Sequence, residues 1–190
     1  MPVWGWILIA AIVVVAVVAV IVAGSRGNRR RSEELKQRFG PEYERTVTET
    51  GDQNAAEKEL AAREQKREQL DIVPLTAESL GNYAHSWRAV QTAFVDDPKS
   101  AVGEADRLVT RVMSERGYPV DDFDRRAADI SVDHPTVVEN YRAAHGIYLS
   151  QEAGAVDTEA QRQAFVHYRA LFEKLLETEN DTNESQEATA

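Results

Sequence analysis

"AESLGNYAHSWRAVQTAF", Ala77 to Phe94, decides the fold class. Leu80, Tyr83, Trp87, Val90 and Phe94 recur three and four residues apart. That spacing lines one face of an α-helix, whereas a half-buried strand would alternate with a period of two. Thr76 stands where an N-cap is wanted, and Glu78 follows in the first turn, where its charge suits the positive end of the helix dipole.

The same period continues downstream. Asp97-Pro98 reads as cap and first-turn proline of a second helix, with Ala101, Ala105, Leu108, Val112 and Met113 on its inner face. Gly117, followed by Tyr118-Pro119, ends it. A short third helix fits Asp121 to about Ile130. A fourth is expected from Asp133-His134-Pro135, with Val137, Val138, Tyr141, Ala144 and Tyr148 inward and Gly146 weakening it or ending it early. A fifth runs from Thr158 to about Glu177 with Phe165, Tyr168, Leu171, Phe172 and Leu175, Thr158 and Gln161 having capping-box spacing. No stretch alternates convincingly as a strand. The expected fold is therefore all-α, a bundle of four to five helices over residues 76–177, with Trp87 and Phe94 as core anchors.

Upstream, Ser32 to Leu70 is highly charged. Gly40-Pro41 breaks one helix and opens the next, "PEYERTVTET", which ends near Gly51. "NAAEKELAAREQKREQL" is a strong helix former. Its large apolar residues are only Leu60 and Leu70, too thin a stripe for a coiled coil, so a solvated spacer helix is expected. The competing reading is a helix that pairs with a partner or with its own copy. "LDIVPL", Leu70 to Leu75, reads as an extended apolar link, because Pro74 biases Val73 away from helix. Residues 26–75 thus form a basic flank and charged helical stalk.

The first residues are of another kind. "PVWGWILIAAIVVVAVVAVIVAG", Pro2 to Gly24, carries no charge. Coiled as a helix, Val3 to Ala23 spans roughly 30 Å, the thickness of a bilayer core. Trp4 and Trp6 stand at one end, where indole rings favour the headgroup level, and Arg26, Arg29, Arg30 and Arg31 at the other. Basic flanks stay on the cytoplasmic side, so the expected topology is N-terminus outside and C-terminal domain inside, with residues 1–25 as a single-pass bacterial membrane anchor. A cleaved signal peptide, and with it a secreted or envelope protein, is the alternative. It would want its basic residues before a shorter apolar core and an A-x-A-like site after it. Residues 178–190 read as a disordered acidic tail, whose N-x-[ST] patterns at Asn180 and Asn183 are accidents of composition on a cytoplasmic segment.

Charge and composition narrow the functions. A net charge of −10 repels nucleic acid and anionic surfaces beyond a local basic patch. The absence of cysteine removes disulfides, thiol nucleophiles and thiolate metal sites. No phosphate-binding glycine loop, G-x-S-x-G elbow or HExxH is present. The densest chemistry lies in "RAADISVDHPTVVENYRAAH", Arg126 to His145. A metal reading would use Asp129, Asp133, His134, Glu139 and His145, with Asp133, His134 and His145 its best candidates. No histidine has a glutamate three before it, and Asp122 and Asp124 are followed by Arg126 where a calcium loop needs another ligand. The favoured reading is a joint between helices: Asp121, Asp122 and Asp133 cap helix starts, Pro135 pre-sets a first turn, and Arg125 and Arg126 offset the acids. Tyr118, Asp121 and His134 are the candidate interaction face, with His134 a possible pH-sensitive cap. No catalytic residue and no cofactor is expected.

The runs "RFGPEYERTV", "AFVDDP", "EADRLVTRVMSERGYPVDDFDRRAADISVDHPTVVENYRAAH" and "DTEAQRQAFVHYRALFEKLL" together resemble an uncharacterised family of small bacterial proteins common among high-GC Gram-positive bacteria. The likeness covers Arg38 to about Leu176, and the RGYP…DF…RAADISVDHP run is its specific part. The resemblance implies a membrane or secreted helical protein without an assigned activity, and carries over no catalytic residues. The functional expectation is a membrane protein that presents a cytoplasmic helical interaction or scaffold domain to a protein partner or to its own copy. A helical enzyme or metal protein built on the Asp/His joint is the alternative.

Overall fold

The computed structural model describes Trp4, residues 29–152, Gly154 and residues 156–177. The described residues hold eight helices: α1 (29–39), α2 (Pro41–Thr50), α3 (Gln53–Glu68), α4 (Ala77–Ala93), α5 (Pro98–Glu115), α6 (Phe123–Asp133), α7 (Val138–Glu152) and α8 (Thr158–Leu176), and among them there is no strand. The fold is all-α. The expected span Val3–Ala23 lies outside the described residues apart from Trp4, which is exposed; among the described residues no helix is long and apolar enough to cross a membrane. The tail 178–190 also lies outside them.

Helices α4 to α8 form the bundle around one apolar core. The inner faces expected of α5 and α8 are the observed ones: Ala105, Leu108, Val112 and Met113 are buried, as are Phe165, Tyr168, Leu171, Phe172 and Leu175. Trp87 lies stacked against both Phe165 and Phe172, ring centroids 5.0 and 4.6 Å apart, and Phe94 meets Phe165 at 4.9 Å. These contacts fasten α4, an edge helix whose only fully buried residue is Trp87. Thr76 and Asp97 cap their helices as expected, accepting from the amides of Ser79 and Ser100. Gly117 ends α5 at φ 95°, and a Cβ there would stand 2.3 Å from the Asp71 carbonyl oxygen. Only glycine fits, because the extended link runs directly beneath it, with the Val73 amide bonded to the Arg116 carbonyl.

The joint departs from expectation. Asp133 ends α6 and does not cap α7, which begins only at Val138 after a turn. Asp122 is the cap of α6, its side chain accepting from the Arg125 amide. Helix α7 passes through Gly146 to Glu152, its Tyr141 and Ala144 packed into the core on one side of the glycine and Ile147 and Tyr148 against it on the other. The cap of α8 is Asp157, accepting from the Ala160 amide, and not Thr158.

The larger correction concerns the stalk. Helices α1 to α3 fold together and dock on the bundle. Leu35, Phe39, Tyr43 and Leu60 make a second small core with Val132 of α6. Helix α3 is no solvated spacer, since Ala56, Glu57, Leu60 and Ala61 are buried. Its own stripe is thin, as read. The missing bulk comes from α1 and α2, and alanines let those helices approach closely.

Candidate functional site

The stretch Arg126 to His145 is a seam, and its partner is α3. Lys66 Nζ reaches both carboxylate oxygens of the buried Asp129 at 2.6 Å. Arg67 Nε meets Asp133 Oδ2 at 2.5 Å, and the Tyr118 hydroxyl donates to the same oxygen at 2.5 Å. Burial and this acceptor both push the Tyr118 hydroxyl far above its usual range. One turn back on α3, Arg63 donates to Glu42 of α2 at 2.7 Å and to the Ser131 hydroxyl at 3.4 Å.

Glu42 is the hub. Its side chain is fully buried, yet three guanidinium groups face it: Arg63 at 2.7 Å, Arg142 of α7 at 2.5 Å and Arg45 at 3.7 Å. Glu139 joins from α7, 3.9 Å from Arg45 Nε; burial and the neighbouring Glu42 push its carboxyl up. Arg45, Arg63, Arg125 and Arg142 line the adjoining cleft of about 420 Å³, with Glu49, Glu59 and Asp124 between them, so positive charge there is offset by acid. A second hub lies within the α1–α3 unit. Glu57 Oε1 accepts from Ser32 at 2.6 Å, Tyr43 at 2.7 Å and Gln53 at 2.8 Å. Burial alone would raise the Glu57 carboxyl, but these three donors hold it below its ordinary value.

The bundle holds a third polar group. Asp106 accepts from the Tyr168 hydroxyl at 2.9 Å and faces His145 Nδ1 at 3.7 Å. Burial raises its carboxyl, and His145 and Tyr168 more than offset that. His145 lies flat on Phe123, ring centroids 3.7 Å apart. Arg126, nearly buried and without an ion pair among the described residues, is sheltered by the rings of Phe123 and Tyr141 at 5.9 and 5.8 Å. A carboxylate facing an imidazole is the pair from which a general base is made. Here the contact exceeds hydrogen-bond length, and no hydroxyl among the described residues bonds to the ring.

The candidate metal residues are therefore separated by use: Asp129 and Asp133 are held by α3, and His145 by Phe123 and Asp106. Among the described residues no three His, Asp or Glu side chains converge to hold a metal. His134 is half-buried with both ring nitrogens unpartnered; burial first, then Arg116, pushes it down to about 4. The candidate interaction face does not assemble, because Tyr118 is buried while Asp121 is exposed. Of the membrane-interface residues, Trp4, Arg29, Arg30 and Arg31 are exposed, and Trp6 and Arg26 lie outside the described residues.

Glu42, Glu57 and Asp106 carry buried polar chemistry and were missed, and Arg126, expected to offset the acids of the joint, makes no ion pair among the described residues and packs on Phe123 and Tyr141 instead. Each stands among the inward residues of its helix: Glu42, Tyr43, Thr46; Ala56, Glu57, Leu60; Val102, Asp106, Val109, Met113; Phe123, Arg126, Ile130. A charge in register with apolar neighbours is the signal that could have found them. Comparison with family models, curated proteins and solved structures gives no match.

Proposed function

We propose that the chain is a single-pass membrane protein that presents a folded helical interaction module at the cytoplasmic face. The observation that carries this reading is the charge-free run Pro2–Gly24, followed at once by Arg26, Arg29, Arg30 and Arg31. Helix α1 is described from residue 29, and its Leu35 and Phe39 are part of the second core. Residues expected as a stalk are thus part of the folded module. A groove of about 440 Å³ between α4 and α8, floored by Trp87, Phe172 and Leu176 and flanked by Arg88 and Arg169, offers a partner an apolar seat with charged edges.

Protease treatment of intact cells carrying a C-terminal tag tests the reading. The tag is expected to survive outside protease and to sediment with membranes through high salt. A tag digested from outside reverses the topology, and a mature chain trimmed near Gly24 and free in the medium ends the reading.

A further inference from the structure

We propose that the groove between α1 and α3 binds the headgroup of an anionic lipid, so that the module sits on the bilayer as well as being tethered to it. The proposal rests on the anchor reading above.

The unit α1–α3 carries ten basic residues, and six are matched within the fold. Lys36 pairs with Glu33 and Arg38 with Glu64; Arg45 and Arg63 face Glu42; Lys66 and Arg67 hold Asp129 and Asp133. The other four, Arg29, Arg30, Arg31 and Lys58, are exposed and make no ion pair with any described residue. Three stand at the start of α1, and Lys58 joins Arg31 across the groove. The groove measures about 400 Å³, with Asn54 and Gln65 as further donors and Ala61 and Ala62 among its walls. Its acid, Glu57, is buried and stays ionised under the donors Ser32, Tyr43 and Gln53, so Arg31 and Lys58 leave the groove one positive charge in excess. Ten acidic residues balance the ten basic ones over this unit, so what sets the groove apart is that Arg31 and Lys58 meet there without a pairing acid.

Position selects the occupant. Arg29 is five residues beyond Gly24, so an extended link puts it at most about 17 Å from the end of the charge-free run. That keeps Arg31 and the groove within reach of the headgroup layer, where each basic side chain gains from an anionic surface. Two guanidinium or ammonium groups opposed across a cleft match a lipid phosphate, and the alanine wall suits the glycerol above it.

The test uses full-length protein in vesicles of phosphatidylcholine alone and of phosphatidylcholine mixed with phosphatidylglycerol. The readout is the labelling rate of Lys58 by an uncharged, water-soluble amine reagent, relative to exposed Lys99 at the start of α5. Anionic vesicles are expected to slow Lys58 on the order of fivefold relative to Lys99, the equivalent of about 1 kcal/mol. Arg31→Gln is expected to remove most of that protection. Both lysines slowing alike, or protection indifferent to Arg31→Gln, overturns the proposal. So does equal protection by inorganic phosphate over neutral vesicles, which would make the groove a site for free anions. Failure of the protein to float with neutral vesicles sinks the anchor reading and the lipid proposal together. Flotation without a composition-dependent change sinks the lipid proposal alone.

Discussion

Helices α4–α8 and helices α1–α3 are both helical, yet different forces hold them. The bundle buries nineteen apolar residues in one core, from Trp87 to Leu175. The unit α1–α3 has five, one of them borrowed from α6. What it lacks in apolar contact it replaces with buried charge: Glu42 under three arginines, Glu57 under three donors, and Lys66 and Arg67 on the seam. Apolar burial is non-directional and tolerates imperfect placement. A buried carboxylate is stabilising only while each partner stays in position, and costly as soon as one leaves. The bundle should therefore lose stability gradually with lost volume, and the α1–α3 unit sharply with lost charge.

The largest effect belongs to the bundle. Trp87→Ala removes the ring stacked against Phe165 and Phe172 and unfastens α4. It should cost roughly 3–5 kcal/mol. Thermal unfolding of the full chain in detergent, followed by circular dichroism, should show the midpoint falling by about 10 °C or more. An unchanged midpoint would deny α4 its place in the core.

Next comes Glu42→Gln, which keeps the shape and removes the charge. Arg63 and Arg142, both largely buried, would lose their shared partner at a cost of roughly 3 kcal/mol. Hydrogen exchange should locate the damage: amides of residues 29–68 lose protection while those of α5 and α8 keep theirs. If both regions open together, they are one cooperative unit and the contrast between them fails.

These two sites were not equally legible. Trp87 could be read from spacing alone, because a large apolar residue on a helical stripe has one physical outcome. Glu42 lies on the inward face of α2 too, with Tyr43 and Thr46, but its meaning depends on Arg63 and Arg142, 21 and 100 residues away. The docking of α3 was hidden for the same reason. Leu60 looked isolated within its own helix, and only folding brings Leu35, Phe39 and Tyr43 around it. Helix existence is local information, whereas the pairing of charges and the sharing of a thin apolar face are tertiary. Asp133 shows the limit most plainly. As an acid before a proline turn it reads as a cap, and Arg67 and Tyr118 decide otherwise.

His134 links the comparison to pH. Its ring is packed at the end of α6 with neither nitrogen bonded, beside Arg116 and Lys174 and near Asp133 and Glu177. Burial depresses its folded value to about 4, below its ordinary 6.5. Between those values the unfolded chain binds the proton and the folded chain does not. Stability is thus fully present above about pH 6.5 and falls as pH drops towards 4, by up to about 3 kcal/mol. Denaturant midpoints across this range should drop more steeply for the native chain than for His134→Gln. Equal slopes would assign the acid sensitivity to the carboxylates of the α1–α3 unit instead.

The smallest effect is the most discriminating, because one ion pair predicts two unequal outcomes. Asp129 is almost fully buried, while the Lys66 side chain that reaches it is 45% exposed. Lys66→Ala leaves a buried carboxylate without its counter-charge and should cost about 1–2 kcal/mol. Asp129→Asn leaves an amide in the same space and frees a lysine that water solvates, so it should cost less than about 1 kcal/mol. Both changes should appear as faster exchange in α3, with α8 unmoved. Adding salt should weaken the native pair only slightly, since its acceptor is shielded from solvent. Should the two variants prove equally mild, the seam would be held by Leu60 and Val132 rather than by charge, and the division between an apolar bundle and a charge-held α1–α3 unit would dissolve.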